Sequence, residues 1–290
     1  MLTVLTGKET FPEPCALLLG GFDGLHRGHA ALLAAAKATG LPVGLTSIAG
    51  GKPGGELFTL PERRVVFARA GIGFVLEYHF SEAFRETPPE QFLAELFARV
   101  NARAVFCGED FRFGRGAAGT PELLQSLAPC PVHVLPLEES GGEKIATSRI
   151  KRSILDADMA GADALLMQPY FVQGEVEHGR HVGGPVLGFP TVNLTLPPEK
   201  AHPGEGVYGG SAETPAGTFP AVINFGARPT FGVPEKKIEA YLDGFSGDLY
   251  GKTVRVVPTR FYRPTQAFAS AEELKAQLKK DIARLRMSTE

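Results

Sequence analysis

Cys15-Ala16-Leu17-Leu18-Leu19-Gly20-Gly21-Phe22-Asp23-Gly24-Leu25-His26-Arg27-Gly28-His29 joins an apolar run to a glycine turn, then to two histidines opening an alanine- and leucine-rich stretch. The pattern predicts a buried strand over 17–21, a tight turn, and a helix over 28–39. Amides at a helix N-terminus lack intrahelical acceptors, and the helix dipole favours an anion there. Residues three apart on a helix share a face, so His26 and His29 can address one ligand. Imidazole can also carry charge that builds on a departing phosphate group. Either histidine alone reads better as a helix-start contact. The pair, directly after a strand, points to a nucleotide site. A metal site is the competing reading, but no convincing third ligand stands nearby.

Working outward, residues 42–46, 74–78, 104–107 and 132–135 read as strands, and 60–70, 88–100 and 120–127 as helices. Strands alternating with helices imply an α/β domain with a parallel sheet covered on both faces, whose ligands bind beyond the carboxyl ends of the strands. One last helix is expected over 150–166, ended by Gln168-Pro169. The pattern then changes. Residues 170–176, 206–212, 218–225, 237–242 and 253–261 are short alternating or apolar runs between glycine- and proline-rich turns, the signature of an antiparallel β-barrel or sandwich. Residues 271–286 predict an amphipathic terminal helix, with Leu274, Leu278, Ile282 and Leu285 on one stripe. The expected domains are 1–167 and 168–290.

The 290 residues carry a net charge of −2, which argues against bulk electrostatic binding to nucleic acid. With 43% hydrophobic and 21% charged residues, the composition is that of a globular protein with a sizeable core. Cys15, Cys107 and Cys130 form no CxxC pair, as expected of reduced thiols in a cytoplasm. Residues 1–14 lack the layout of a signal peptide, and no apolar run approaches the roughly 20 residues that span a bilayer. These features predict a cytoplasmic protein acting on small molecules, with neither nucleic acid nor membrane as partner, as a monomer or weak homo-oligomer.

Four further stretches carry chemistry. Gly108-Glu109-Asp110-Phe111-Arg112-Phe113-Gly114 follows a predicted strand. Ala146-Thr147-Ser148-Arg149-Ile150-Lys151 opens a predicted helix with hydroxyls that can cap it or bond phosphate. Leu187-Gly188-Phe189-Pro190-Thr191-Val192-Asn193, taken alone, reads as a β-turn with side-chain caps. Lys237-Ile238-Glu239-Ala240-Tyr241-Leu242 places a carboxylate on a predicted strand. Together with the histidine run, these stretches resemble the bacterial bifunctional riboflavin kinase/FAD synthetases over nearly the whole chain.

The resemblance implies an N-terminal Rossmann-like nucleotidyltransferase domain and a C-terminal β-barrel riboflavin kinase domain. The barrel would make FMN from riboflavin and ATP, and the front domain would make FAD from FMN and a second ATP, releasing pyrophosphate. It assigns His26 and His29 to the ATP phosphates in the front domain, with Gly21, Phe22, Asp23, Gly28, Thr147, Ser148, Arg149 and Lys151 around the nucleotide. Asp110 falls on the flavin side. In the barrel it assigns Gly188, Pro190, Thr191 and Asn193 to the nucleotide, with Thr191 and Asn193 also holding Mg²⁺. Glu239 becomes the general base and Arg228 a flavin contact. The glycine-rich run from Gly174 to Gly184 would be a flap over ATP, and 243–251 a mainly structural turn.

The chain also departs from the family pattern. Thr46-Ser47-Ile48-Ala49-Gly50-Gly51-Lys52-Pro53 stands where the family shows a TFDPHP-like run, Ala117 and Thr120 replace charged residues, and Lys151 replaces an arginine. Gly184-Pro185 stands where a basic residue is usual. These departures motivate an alternative, a riboflavin kinase with a weakened front domain. A non-catalytic flavin-binding regulator is the third reading.

Overall fold

The structure, a computed structural model, describes residues 1–51, 53–177, 191–228 and 233–287. It separates into two compact units, Met1–Arg149 with Leu165–Gln168, and Ile150–Ala164 with Pro169–Glu290. This division differs from the expected one over residues 150–164 and at Gln168. The amide of Gly204 reaches the Ile154 carbonyl at 3.3 Å, which ties that helical segment to the second unit.

The first unit contains β1 (Thr3–Leu5), β2 (Phe11–Leu18), α1 (Ala30–Ala38), β3 (Val43–Ala49), α2 (Leu60–Arg69) and β4 (Phe74–His79). It continues with α3 (Glu82–Arg85), α4 (Pro89–Arg99), β5 (Val100–Gly108), α5 (Pro121–Leu127), β6 (Val132–Leu135) and a small hairpin of β7 (Glu139–Ser140) and β8 (Glu143–Lys144). Six strands form an all-parallel sheet in the order β1-β4-β3-β2-β5-β6. Ala16, Leu17 and Leu18 are wholly buried, as a strand covered on both faces requires. After β2 the chain moves to β3 on one side, and β5 later takes the other. The carboxyl end of β2 is therefore the switch point where such sheets open a crevice.

The first predicted strand lies earlier than 17–21, at Phe11–Leu18. Past its end single bonds tie the turn to the neighbouring strands, from the Leu19 amide to the Phe106 carbonyl at 2.9 Å and from the Ile48 amide to the Gly21 carbonyl at 3.0 Å. The helix expected from residue 28 starts as a 3₁₀ turn, Arg27–His29, before α1. The single helix expected over 150–166 is two, α6 (Thr147–Leu155) and α7 (Met159–Leu165). Ala157 takes φ +61° between them, and Asp158 Oδ1 accepts from the Gly161 amide at 2.9 Å, starting the second helix.

The second unit continues with β9 (Val172–Glu175), β10 (Thr191–Thr195), β11 (Gly206–Thr214), β12 (Gly217–Arg228), β13 (Val233–Leu242), β14 (Thr253–Arg263) and α8 (Ala271–Met287). The antiparallel order is β10-β13-β12-β11-β14-β9. The two edges meet where the Glu177 amide donates to the Asn193 carbonyl at 2.9 Å, so the barrel is nearly closed. Ile238, Ala240 and Leu242 of β13 point inward and are buried, leaving Lys237, Glu239 and Tyr241 on the other face. α8 packs Ile282 and Leu285 against Val207, Val222 and half-buried Tyr241 on that outer face. Leu274 and Leu278, from the same predicted stripe, are only half-buried.

Candidate active sites

A cleft of about 720 Å³ opens at the carboxyl end of β2. Gly20, Gly21, Phe22, His26, Gly28 and His29 form one side of it, and Asp110, Phe111, Lys144 and Thr147 line it elsewhere. The histidine rings do converge, by a different route from a shared helix face. His26 is the extended residue before the 3₁₀ turn, its amide donates to His29 Nδ1 at 3.4 Å, and the rings stack with centroids 3.6 Å apart. Phe22 adds a third ring 4.6 Å from His29. Gly28 packs closely under this pair, since a Cβ there would lie 3.0 Å from the His26 ring. His26 is buried, and its Nδ1 has no hydrogen-bond partner among the described residues. Burial, followed by the positive charge of Lys144, pushes His26 down to about 4 against the opposing pull of Asp110. Asp110 and Lys144 form an ion pair at the rim, both about half exposed.

The second unit presents a polar row across three strands. Asn193 lies directly opposite Glu239, and Glu239 directly opposite Asn224, so all three side chains share one face. Thr191 donates its hydroxyl to Glu239 Oε1 at 2.9 Å. Asn193 is buried, and Thr265 donates to Asn224 Oδ1 at 3.4 Å. Thr191 also borders a cavity of about 330 Å³, walled by Val176, Leu242 and residues 245–250. The turn expected to be mainly structural is thus also a cavity wall. Further along the same face Lys237 pairs with Glu177 at 3.0 Å.

A family model described as riboflavin kinase matches residues 166–289, and one described as FAD synthetase matches residues 8–149. The bifunctional riboflavin kinase/FMN adenylyltransferase of Escherichia coli K12 is 33% identical over 289 residues, covering 93% of this chain and 91% of the relative. The chain belongs to the bifunctional riboflavin kinase/FMN adenylyltransferase family. The Bacillus subtilis member is 31% identical, covering 91% of this chain and 89% of its own. A solved structure from Streptococcus pneumoniae, described as a macrolide-efflux protein, matches with TM-score 0.84 at 28% identity over 98% of each chain. Among the described residues no helix is long and apolar enough to cross a membrane.

Against the family motifs, the structure brings Gly21, Phe22, His26, Gly28, His29, Asp110 and Thr147 to one cleft, and Thr191, Asn193 and Glu239 to one patch. Other expected residues stand elsewhere. Asp23 is buried and turns its carboxylate to Arg63 at 2.5 Å, so it does not line the cleft. Ser148 is exposed, and Arg149 ties to the β7–β8 hairpin through the Ser140 carbonyl at 2.8 Å. Lys151, in α6, is half-buried and belongs to the second unit. Gly188, Pro190 and the Arg228 side chain lie outside the described residues. The sequence reading missed Lys144, Arg63 and Glu56, which stand outside the motif stretches and carry no local signal.

Proposed function

We propose that the second unit phosphorylates riboflavin with ATP and that the first unit adenylylates the FMN so formed. The observation that carries the reading is the Thr191–Glu239 hydrogen bond at 2.9 Å with Asn193 directly opposite. Glu239 is suited to accept the proton of the riboflavin 5′-hydroxyl as that oxygen attacks the γ-phosphorus and ADP leaves. The cavity beside Thr191 is the place for the nucleotide. The Thr191 hydroxyl and the Asn193 amide oxygen are hard donors, too few to cage a metal by themselves, which fits an ion completed by phosphate oxygens. No cluster of His, Cys, Asp or Glu among the described residues offers a competing site. Mg²⁺, when bound there, neutralises phosphate charge.

In the first unit a phosphate oxygen of FMN attacks the α-phosphorus of ATP and pyrophosphate departs. The stacked histidines donate to phosphate oxygens whose negative charge grows as that bond breaks. Phenylalanines 80, 84, 111 and 113 give the same cleft an apolar side for the flavin. The three cysteines are free, in keeping with a cytoplasmic setting.

The test is chromatography of flavins after incubation with riboflavin, ATP and Mg²⁺. FMN and FAD should both form. FMN without FAD would refute the adenylyltransferase assignment, and no turnover of riboflavin would refute the kinase.

A further inference from the structure

Four buried polar residues form one network beneath the histidine turn: Asp23, Ser47, Glu56 and Arg63. Arg63 is its centre and is fully buried. Its Nη2 donates to Asp23 at 2.5 Å and pairs with Glu56 at 3.1 Å. Its Nη1 donates to Ser47 Oγ at 3.1 Å and to the Ile48 carbonyl at 2.9 Å, and its Nε to the Phe58 carbonyl at 2.8 Å. Arg63 itself does not line the cleft.

Each arm of the guanidinium ends at a cleft wall. Ser47 passes the first arm on by donating to the Phe22 carbonyl at 3.1 Å. Phe22 has φ +29°, a conformation that residues with side chains adopt only when their surroundings impose it. Its ring bears on His29, which stacks on His26. Thr46 clasps the same turn, accepting from the Gly20 amide at 3.2 Å and donating to the Gly20 carbonyl at 2.7 Å. The second arm runs through Glu56, whose Oε1 accepts from the Gly50 amide at 2.5 Å. Gly50 and Gly51 both take positive φ, and a Cβ on Gly51 would lie 2.3 Å from the ring of Phe80, which lines the cleft.

Stability is a weak reason for such a cluster, since well-packed apolar residues usually do as well as a buried ion pair. Conformational specification is the stronger reason, and it needs arginine's planar fork rather than a point charge. We propose that Arg63 is a positioning residue for adenylyl transfer, acting through Ser47, Asp23 and Glu56 to fix the turn that carries Phe22, His26 and His29 and the loop that faces it. The inference rests on the first unit being the FMN adenylyltransferase. It also gives the departing stretch 46–53 a role, because Ser47, Ile48 and Gly50 supply partners of the network and Thr46 clasps Gly20 beside it.

The experiment compares Arg63→Lys and Asp23→Asn with the unsubstituted enzyme, supplying FMN, ATP and Mg²⁺ for FAD formation and riboflavin for the kinase. Arg63→Lys should lower kcat for FAD formation roughly 10²-fold with little change in KM for FMN. Riboflavin phosphorylation should proceed at the parent rate. Equilibrium binding of a non-hydrolysable ATP analogue should still count two sites per chain. Combining both substitutions should lower FAD formation no further than the worse single one, since the two residues act as one unit. Undiminished FAD formation by Arg63→Lys beside an active parent overturns the role of Arg63. So does loss of one nucleotide site in step with the activity, which would mean unfolding of the first unit. An unsubstituted enzyme that forms no FAD overturns the adenylyltransferase reading, and this one with it.

Discussion

The Thr191 hydroxyl donates to the carboxylate of Glu239 at 2.9 Å, so a valine at 191 removes a donor to a charged group. A hydrogen bond to a charged group is worth about 1.5–3 kcal/mol, so Thr191→Val should lower riboflavin phosphorylation roughly 10- to 100-fold or more. Thr191→Ser should retain most of it, and initial rates of FMN formation decide. His26 makes a prediction about pH. Burial lowers its folded-state pKa from 6.5 to about 4, so between those values the unfolded chain binds a proton that the folded chain refuses. Stability of the first unit therefore falls as pH drops through that window, by about 3 kcal/mol in full. Urea unfolding at pH 7 and pH 4.5 should show a loss that His26→Gln reduces, whereas equal losses in both proteins would contradict the burial account. Residues with chemically specific side chains in dense motifs were legible at this scale. Arg63 and Glu56 were not, because their roles come from being enclosed, and enclosure has no local signature.

α8 is held to the barrel by apolar packing and by ion pairs. Ile282 and Leu285 fill the face over Val207 and Val222, Arg263 pairs with Asp281 at 2.8 Å, and Arg286 grips Asp243 with two bonds of 2.8 Å. Ile282→Ala should cost the second unit about 2–5 kcal/mol. Thermal inactivation of the kinase should move to lower temperature while FMN adenylylation keeps its own profile. A shared shift of both activities would contradict separate unfolding of the two units. Most strands and helices were legible from period and punctuation. The missed or altered elements have physical reasons. β1 is a three-residue edge strand, β10 adds five residues beginning at the threonine of a motif read as a turn, and the 150–166 helix breaks where Asp158 can cap a new start.

At the scale of the whole molecule, each unit holds its own cleft and its own chemistry. Glu239→Ala should abolish FMN formation and spare FAD formation from supplied FMN. His29→Ala should do the reverse. An equimolar mixture of the two variants should convert riboflavin to FAD, with FMN accumulating first in solution. Chromatography over time checks this, and failure of the mixture alone would mean that FMN does not pass between molecules. Loss of both activities from either single substitution in a folded chain would contradict the modular assignment.

The sequence by itself determined the two-part architecture, the parallel and antiparallel classes of the sheets, and the motif stretches that the structure gathers at one cleft and one patch. Those properties follow from hydrophobic period, turn residues and motifs that are local in the chain. Only the tertiary structure decided how the histidines converge, through ring stacking before α1 rather than along a helix face. It also joined Asp23 to Arg63, 40 residues away in the chain. The reason is common to both cases. A charged or aromatic side chain finds its partner through burial and long-range packing, and those are set only when the strands and the loops beyond them have come together.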